Sequence, residues 1–123
     1  MDVKLPVASY QVVVRGLATV LDEVDGAAFG PDRTLMLPSV SLSCAELHAA
    51  ALQLAGAHGL ARVGAARAEA QEVATRIVSS MGERSDGSRA VALGIPRDEG
   101  AESIVRMYAE EWVVRPEARG VDA

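Results

Sequence analysis

Residues 40–56 read VSLSCAELHAAALQLAG, and this stretch predicts a short extended segment that turns directly into a helix. Ser43 and Glu46 form a capping-box pattern, in which each side chain accepts a hydrogen bond from the backbone amide of the other residue. Gly56 is a typical helix end. The apolar residues that share the inward face of this helix are Leu47, Ala50, Ala51 and Leu54. The stretch therefore predicts a fold that joins strands and helices.

On the N-terminal side, the sequence predicts a strand, a helix and a second strand. Residues 3–7 read as the first strand, and Ser9 is placed to cap the helix that follows. This helix should end near Asp25, and its apolar stripe consists of Val13, Leu17, Val20, Leu21 and Val24. Residues 33–37 alternate in polarity and predict a further strand, which Pro38 ends.

On the C-terminal side, the spacing predicts three more helices. Residues 60–67 are ambiguous and could supply a strand, whereas residues 69–81 predict a helix with Val73, Ile77 and Met81 facing inward. Ser85 or Asp86 then caps a short helix that ends at Gly94. The last helix starts at Asp98, and its apolar residues are Ala101, Ile104, Val105, Tyr108 and Trp112.

Length and composition indicate one small α+β domain of about five helices with a few short strands. The 123 residues are half apolar but only 3% aromatic, so a single core must be built from aliphatic side chains and alanine. We expect residues 1–115 to form one unit and residues 116–123 to be a frayed tail.

The charge and the termini limit the partners. The net charge is −5 and there is no basic run, so no nucleic-acid partner is expected. Cys44 is the single cysteine, and there is neither a signal-peptide pattern nor a run of ~18 apolar residues, which favours a cytoplasmic protein that does not enter a membrane.

Several segments carry a family resemblance by their order and spacing. They are residues 33–38 (RTLMLP), 40–47 (VSLSCAEL), 76–78 (RIV), 88–95 (SRAVALGI) and 104–106 (IVR). This series resembles the C-terminal substrate-binding domain of the NAD-dependent epimerase/dehydratase family, within the extended short-chain dehydrogenases, and most of all its D-erythronate dehydrogenase-like members. The resemblance implies the substrate half of such an enzyme without its nucleotide-binding Rossmann half.

The residues needed to hold or use a nicotinamide cofactor are missing from the sequence. No G-x-G-x-x-G string occurs, and that glycine spacing is what lets a backbone approach a pyrophosphate. The Y-x-x-x-K pair of the family is also missing, since position 14 is valine and position 112 is tryptophan. Lys4 is the only lysine and precedes both tyrosines. We therefore expect no cofactor and no dehydrogenation by this chain alone.

Five residues are candidates for a site on the substrate side that the resemblance implies. Arg76 and Arg84 could clamp a carboxylate or phosphate bidentately, with Ser80 beside them as a further substrate ligand. Tyr10 and Asp86 are the candidate catalytic residues. All five could instead have ordinary structural or surface roles.

Cysteine and histidine suggest a second kind of site. Cys44 and His48 lie one helical turn apart and could form a thiolate–imidazole pair. His58 is the other histidine, ten residues on in a glycine-flanked loop, so the pair lacks an evident third ligand. Packing of the thiol is the simpler interpretation, and no metal site is expected.

Three functions fit this sequence. The first is a stand-alone domain that binds a small organic molecule, derived from an epimerase/dehydratase substrate domain and acting as a cofactor-free isomerase, lyase or cyclase of bacterial specialised metabolism. The second is the substrate-binding half, fragment or subunit of an NAD-dependent sugar-acid dehydrogenase or epimerase. The third is a non-catalytic dimerisation module. A small stand-alone domain of this kind is expected to be a homodimer.

Overall fold

The computed structural model describes residues 3–59, 64–69 and 71–114, and within them the chain is a small mixed α+β domain. Five α-helices and one two-stranded antiparallel sheet make up the described part, which confirms the predicted fold class. The elements are β1 (Lys4–Val7), α1 (Tyr10–Asp22), a 3-10 turn (Gly26–Phe29), β2 (Val40–Ser43), α2 (Cys44–Ala57), α3 (Glu72–Ser80), α4 (Ser88–Ala92), α5 (Ala101–Ala109) and a π-helical turn (Glu110–Val114). The predicted tail, residues 116–123, lies outside the described residues.

The sheet joins the N-terminal strand to the strand that leads into α2. β1 and β2 pair antiparallel, with Lys4 opposite Ser43 and Val7 opposite Val40. The Lys4 ammonium donates a hydrogen bond to Glu46 Oε1 at 2.9 Å, so the strand is also tied to the first turn of α2. The predicted strand at residues 3–7 is confirmed, as is the extended segment at residues 40–42.

The predicted capping box of α2 is confirmed. The Ser43 amide donates to Glu46 Oε2 at 2.8 Å, and the Glu46 amide donates to Ser43 Oγ at 3.1 Å. The Ser43 amide, followed by the Lys4 side chain, lowers the pKa of the Glu46 carboxyl below its usual range. The β2–α2 corner, which we define as Lys4, Ser43 and Glu46, therefore has its polar groups paired.

The predicted cap of α1 is also confirmed. Ser9 has extended backbone geometry, and its Oγ accepts a hydrogen bond from the Val12 amide at 3.2 Å. The helix runs from Tyr10 to Asp22, close to the predicted end near Asp25.

The predicted start of the last helix at Asp98 is wrong. The Asp98 carboxylate accepts hydrogen bonds from the Ser9 amide at 2.7 Å and from Ser9 Oγ at 2.8 Å, so it serves the start of α1 instead. α5 begins three residues later at Ala101, and there the Ser103 hydroxyl accepts a hydrogen bond from the Gly100 amide. A carboxylate used by another segment is not available to cap its own helix.

The predicted strand at residues 33–37 is wrong as well. Arg89 of α4 donates hydrogen bonds to the carbonyl oxygens of Thr34 at 3.0 Å and Asp32 at 2.9 Å. It also donates to the Phe29 carbonyl, and its guanidinium lies over the Phe29 ring. The Thr34 carbonyl of this segment thus accepts a side-chain hydrogen bond, and no neighbouring strand pairs with the segment among the described residues.

The core consists mostly of small side chains, and α1 packs closely against it. Its buried apolar residues are Val12, Val40, Leu42, Ala50, Ala55, Ala90, Ile95 and Ala109. A Cβ atom at Gly16 of α1 would come within 2.9 Å of Leu37 Cδ2 and 3.3 Å of Ile95 Cγ2. Gly16 therefore lets α1 lie directly on these two side chains.

Two amphipathic helices expose apolar residues that the sequence places on inward stripes. α3 is shorter than the predicted 69–81, and Val73, Ile77 and Met81 are all more than half exposed, which contradicts their predicted inward face. On α1, Leu17 is exposed and Leu21 is 82% exposed, because the helix packs through Val12 and Gly16. Residues 60–63 lie outside the described residues, and residues 64–67 form no strand.

Candidate pocket on the loop between α3 and α5

A pocket of about 640 Å³ opens between the start of β2, the loop before α4 and the segment that leads to α5. Three separate parts of the chain supply its walls. The lining residues are Pro38, Ser39, Ser41, Arg84, Ser85, Asp86, Gly87, Ser88, Val91 and Arg97. Pro38 and Val91 are the two apolar side chains in this set, so the lining is dominated by hydroxyl and charged groups.

Gly87 allows the two main walls to meet. A Cβ atom at this position would lie 2.6 Å from Pro38 Cα and 2.9 Å from Pro38 N, well inside any real contact distance. Pro38 is itself fully buried. The residue at position 87 must therefore be glycine for the α4 loop to rest against the segment before β2 in this way.

Two guanidinium groups in the lining lack an ion partner. Arg84 and Arg97 form no salt bridge or hydrogen bond with any residue that the structure describes. Arg89 nearby in sequence behaves differently, since its guanidinium is used by Asp32 and three carbonyl groups. Two free guanidinium groups in one pocket can bind a carboxylate or phosphate through charge-assisted hydrogen bonds.

Asp86 has a defined structural partner in the same lining. Its Oδ1 accepts a hydrogen bond from the Ser88 amide at 3.0 Å, which forms a turn just before α4. The predicted cap of this helix by Ser85 or Asp86 is wrong, because Gly87 is the N-cap residue and no side chain caps the helix. Hydrogen bonds from the Ser88 side chain, and then from its amide, lower the pKa of the Asp86 carboxyl. Asp86 is therefore ionised at neutral pH and is a weak base, which suits a turn-forming residue better than a general base.

Ser85 supplies a hydroxyl group that has no use within the described structure. Its Oγ atom is buried and has no hydrogen-bond partner among the described residues, although Ser85 lines the pocket. Leaving a buried hydroxyl unpaired costs about 1–3 kcal/mol.

The pocket contains two of the five candidate residues of the sequence analysis, Arg84 and Asp86. Tyr10 lies elsewhere, and its hydroxyl accepts a hydrogen bond from the Trp112 indole at 3.0 Å. Arg76 and Ser80 lie on α3 and do not line the pocket, and the Ser80 hydroxyl donates to the Ile77 carbonyl at 2.6 Å. The structure thus does not bring Tyr10, Arg76 and Ser80 to the site of Arg84 and Asp86.

Arg97 and Ser85 line the pocket, although no sequence pattern predicts either as a site residue. Arg97 sits between Pro96 and Asp98 in a segment with no motif, thirteen residues after Arg84. Only the folded chain brings these two arginines into one pocket. The one available signal was Ser85 as a candidate cap, but a cap pattern does not predict an unpaired hydroxyl.

Cys44, His48 and His58 all lie in α2 or at its C-terminal cap. Cys44 is exposed in the first turn of α2, and His58 ends the same helix. Across residues 3–59, 64–69 and 71–114, no three His, Cys, Asp or Glu side chains are grouped so that they could hold a metal ion. Within the same residues, no helix is long and apolar enough to cross a membrane.

Comparison with known proteins adds no functional assignment to the geometry of this pocket. No protein-family model matches the chain, and no curated protein or solved structure matches it either. The resemblance to the epimerase/dehydratase substrate domain stays a prediction from the residues quoted above.

Proposed function

We propose that this chain binds a small hydroxylated organic anion in the pocket, with Arg84 and Arg97 holding its acidic group. The observation that carries the proposal is that two guanidinium groups without an ion partner, among the described residues, line the same pocket. Arginines with no partner in the protein are available for a ligand, and each charge-assisted hydrogen bond to a ligand contributes about 1.5–3 kcal/mol.

The remaining lining favours a polar ligand of modest size. A volume of about 640 Å³ is within the range of pockets that hold small molecules. Ser39, Ser41, Ser85 and Ser88 surround the arginines with hydroxyl groups, and no aromatic ring contributes to the lining. A ligand that combines one acidic group with several hydroxyl groups would find a partner for each.

This proposal agrees with a stand-alone small-molecule-binding domain derived from an epimerase/dehydratase substrate domain. A cofactor-free isomerase, lyase or cyclase would add proton transfer, for which Asp86 is the candidate within the pocket. Its lowered pKa makes it a poor proton acceptor at neutral pH, so binding is the part of the proposal that the geometry supports best. The same pocket would serve the substrate half of a sugar-acid dehydrogenase or epimerase.

Titration with a matched pair of probes tests the proposal. D-gluconate and sorbitol are both six-carbon polyols and differ in the carboxylate, so calorimetry should detect gluconate binding and no sorbitol binding. Arg84→Ala and Arg97→Ala should each weaken gluconate binding by about tenfold or more, since each removes a charged hydrogen bond. Arg76→Ala is the matched control, because it removes the same charge outside the pocket. Equal losses in all three variants, or no gluconate binding by the unmodified chain, would refute the anion site.

We also propose that the chain forms a homodimer through the exposed face of α1. The α1 stripe consists of Tyr10, Val14, Leu17 and Leu21, all exposed. Their spacing of four, three and four residues is that of a helix–helix seam. Arg15 is the one charged residue between Tyr10 and Leu21. A second copy of α1 would present the same stripe, so a symmetric pair of helices would bury both apolar faces.

Sedimentation equilibrium tests this second proposal. The unmodified chain should sediment as a dimer, and Leu17→Asp should convert it to a monomer with unchanged helix content. Val73→Asp, on the exposed face of α3, is the control and should leave the dimer intact. A monomeric unmodified chain at concentrations near 100 µM, well above the ~1 µM dissociation constant of a moderately stable complex, would contradict the proposal.

A further inference from the structure

The segment that carries Arg97 is fixed to α1 at two points. On one side of Arg97, Asp98 is only 5% exposed, and its carboxylate accepts hydrogen bonds from the Ser9 amide at 2.7 Å and the Ser9 hydroxyl at 2.8 Å. On the other side, Ile95 is 2% exposed and lies so close to Gly16 that a Cβ atom there would be 3.3 Å from its Cγ2. The single residue between Ile95 and Arg97 is Pro96, whose ring fixes its own φ angle.

Arg84 is held much less tightly. Its segment follows the end of α3, where the Met81 amide donates to the Val78 carbonyl. The next hydrogen bond of this segment that joins it to the described chain is that of Asp86 with Ser88. Arg84 and Arg97 are both exposed, but neither neighbour of Arg84 is buried as Asp98 is. Two arginines of one pocket thus have supports of very different strength.

Building on the proposed anion site, we infer that Asp98 and Ser9 are positioning residues that fix the backbone of Arg97 beside the pocket before the ligand arrives. Asp98 is adjacent to Arg97 in the chain, so a fixed Asp98 carboxylate limits how far the Arg97 backbone can move. Ser9 is itself fixed, because its hydroxyl also accepts a hydrogen bond from the Val12 amide at the start of α1. The start of α1 therefore sets the position of a ligand-binding arginine 88 residues further along the chain.

The negative charge of Asp98 should weaken anion binding, whereas its positioning of Arg97 should strengthen it. Its carboxylate lies next to an anion site, so its negative charge alone would repel the ligand. Replacing that charge would strengthen gluconate binding if charge were the main effect. If positioning is the main effect, the same replacement weakens binding, because Arg97 loses its support. The direction of the change separates the two roles.

Asp98→Asn and Ser9→Ala are the variants for the test, with D-gluconate as the probe. We expect each to weaken gluconate binding by about tenfold, since coupling between residues in one hydrogen-bond network is of this size. In the Arg97→Ala background, Asp98→Asn should cause no further loss, because its effect passes through Arg97. Ala55→Gly, a destabilising change in the distant half of α2, is the control and should leave gluconate affinity unchanged. Tighter binding by Asp98→Asn, or an equal loss with and without Arg97, would overturn the inference.

A measurement without ligand keeps this inference distinct from the proposed function. The backbone ¹⁵N order parameter of Arg97 should be near 0.85, typical of a rigid backbone, and above that of Arg84. It should fall toward 0.6 in Asp98→Asn and in Ser9→Ala, and either variant suffices if the other fails to fold. A rigid Arg97 in both variants overturns the positioning role even if gluconate binds. Absence of gluconate binding by the unmodified chain overturns the proposed function, while the order parameters still decide whether Asp98 positions Arg97.

Discussion

The β2–α2 corner and the pocket use their polar side chains in opposite ways. In the corner, Glu46 forms hydrogen bonds with both Ser43 and Lys4. In the pocket, Arg84 and Arg97 have no partner among the described residues, and neither has the buried Ser85 hydroxyl. Paired groups stabilise the fold, whereas unpaired and exposed guanidinium groups in a concave site are available to a ligand. The difference therefore separates the residues that maintain the structure from those that can serve a function.

Adding a side chain at Gly87, where two walls of the pocket meet, should have the largest effect on stability. Gly87→Ala places a Cβ atom against the Pro38 backbone, so we expect it to lower the free energy of unfolding by about 2 kcal/mol. Gly82→Ala is the matched control, because its Cβ atom would lie 3.6 Å from the Arg84 carbonyl oxygen, an ordinary contact distance. Urea denaturation measures both. Similar stabilities of the two variants would show that Gly87 and Pro38 are not in close contact.

Removing the cap of α2 should have an intermediate effect. Ser43→Ala removes the oxygen that accepts the Glu46 amide, and such losses cost about 1 kcal/mol. Ser79→Ala, on the exposed surface of α3, is the control for the same change in residue type. Urea denaturation should show a lower midpoint for Ser43→Ala alone. Equal midpoints would mean that the capping box does not stabilise the fold.

The corner should also make stability depend on pH. The pKa of Glu46 is lowered in the folded chain, so its stabilising contribution is present above the ordinary glutamate value of 4.5. It is lost as the pH falls through the lower folded-state value. Thermal unfolding of Glu46→Gln should therefore show its largest deficit near neutral pH, and the deficit should shrink as the pH falls below 4.5. A deficit that grows on acidification would contradict this pairing.

The pocket arginines should affect stability least. Arg84→Ala and Arg97→Ala remove no hydrogen bond or ion pair among the described residues, so each should change the free energy of unfolding by less than about 0.5 kcal/mol. Arg89→Ala is the contrasting variant, since this arginine joins α4 to the carbonyl groups of Phe29, Asp32 and Thr34. Urea denaturation should find Arg89→Ala clearly less stable than both. The reverse order would remove the distinction between structural and available arginines.

The same contrast explains how much the sequence could predict. Ser43 and Glu46 are three residues apart, so their hydrogen bonds follow from local geometry alone. The partner of Ser9 is Asp98, 89 residues away, and no local rule connects them. Helical spacing identified amphipathic helices correctly but could not show that the apolar face of α3 stays uncovered. Residues 33–37 have a strand-like pattern, yet the Arg89 guanidinium of α4 donates a hydrogen bond to the Thr34 carbonyl and no strand pairs with this segment among the described residues.

Only the pocket residues that lie close to a local sequence pattern could be predicted. Asp86 and Arg84 stand next to a helix start, which is a pattern that the sequence shows directly. Arg97 comes into the pocket through the support of its segment by α1, which is a property of the tertiary structure. Tyr10 was selected for its place near a helix start, but Trp112 holds its hydroxyl elsewhere. A local pattern can thus identify half of a site whose other half depends on distant contacts.

A map of backbone amide shifts during titration with D-gluconate tests the central claim most directly. The account predicts saturable changes centred on Ser39, Ser41, residues 85–88 and Arg97, with much smaller changes on α2 and none during titration with sorbitol. Changes of equal size with sorbitol, or gluconate-dependent changes confined to surfaces away from Arg84 and Arg97, would contradict the assignment of this pocket as an anion site.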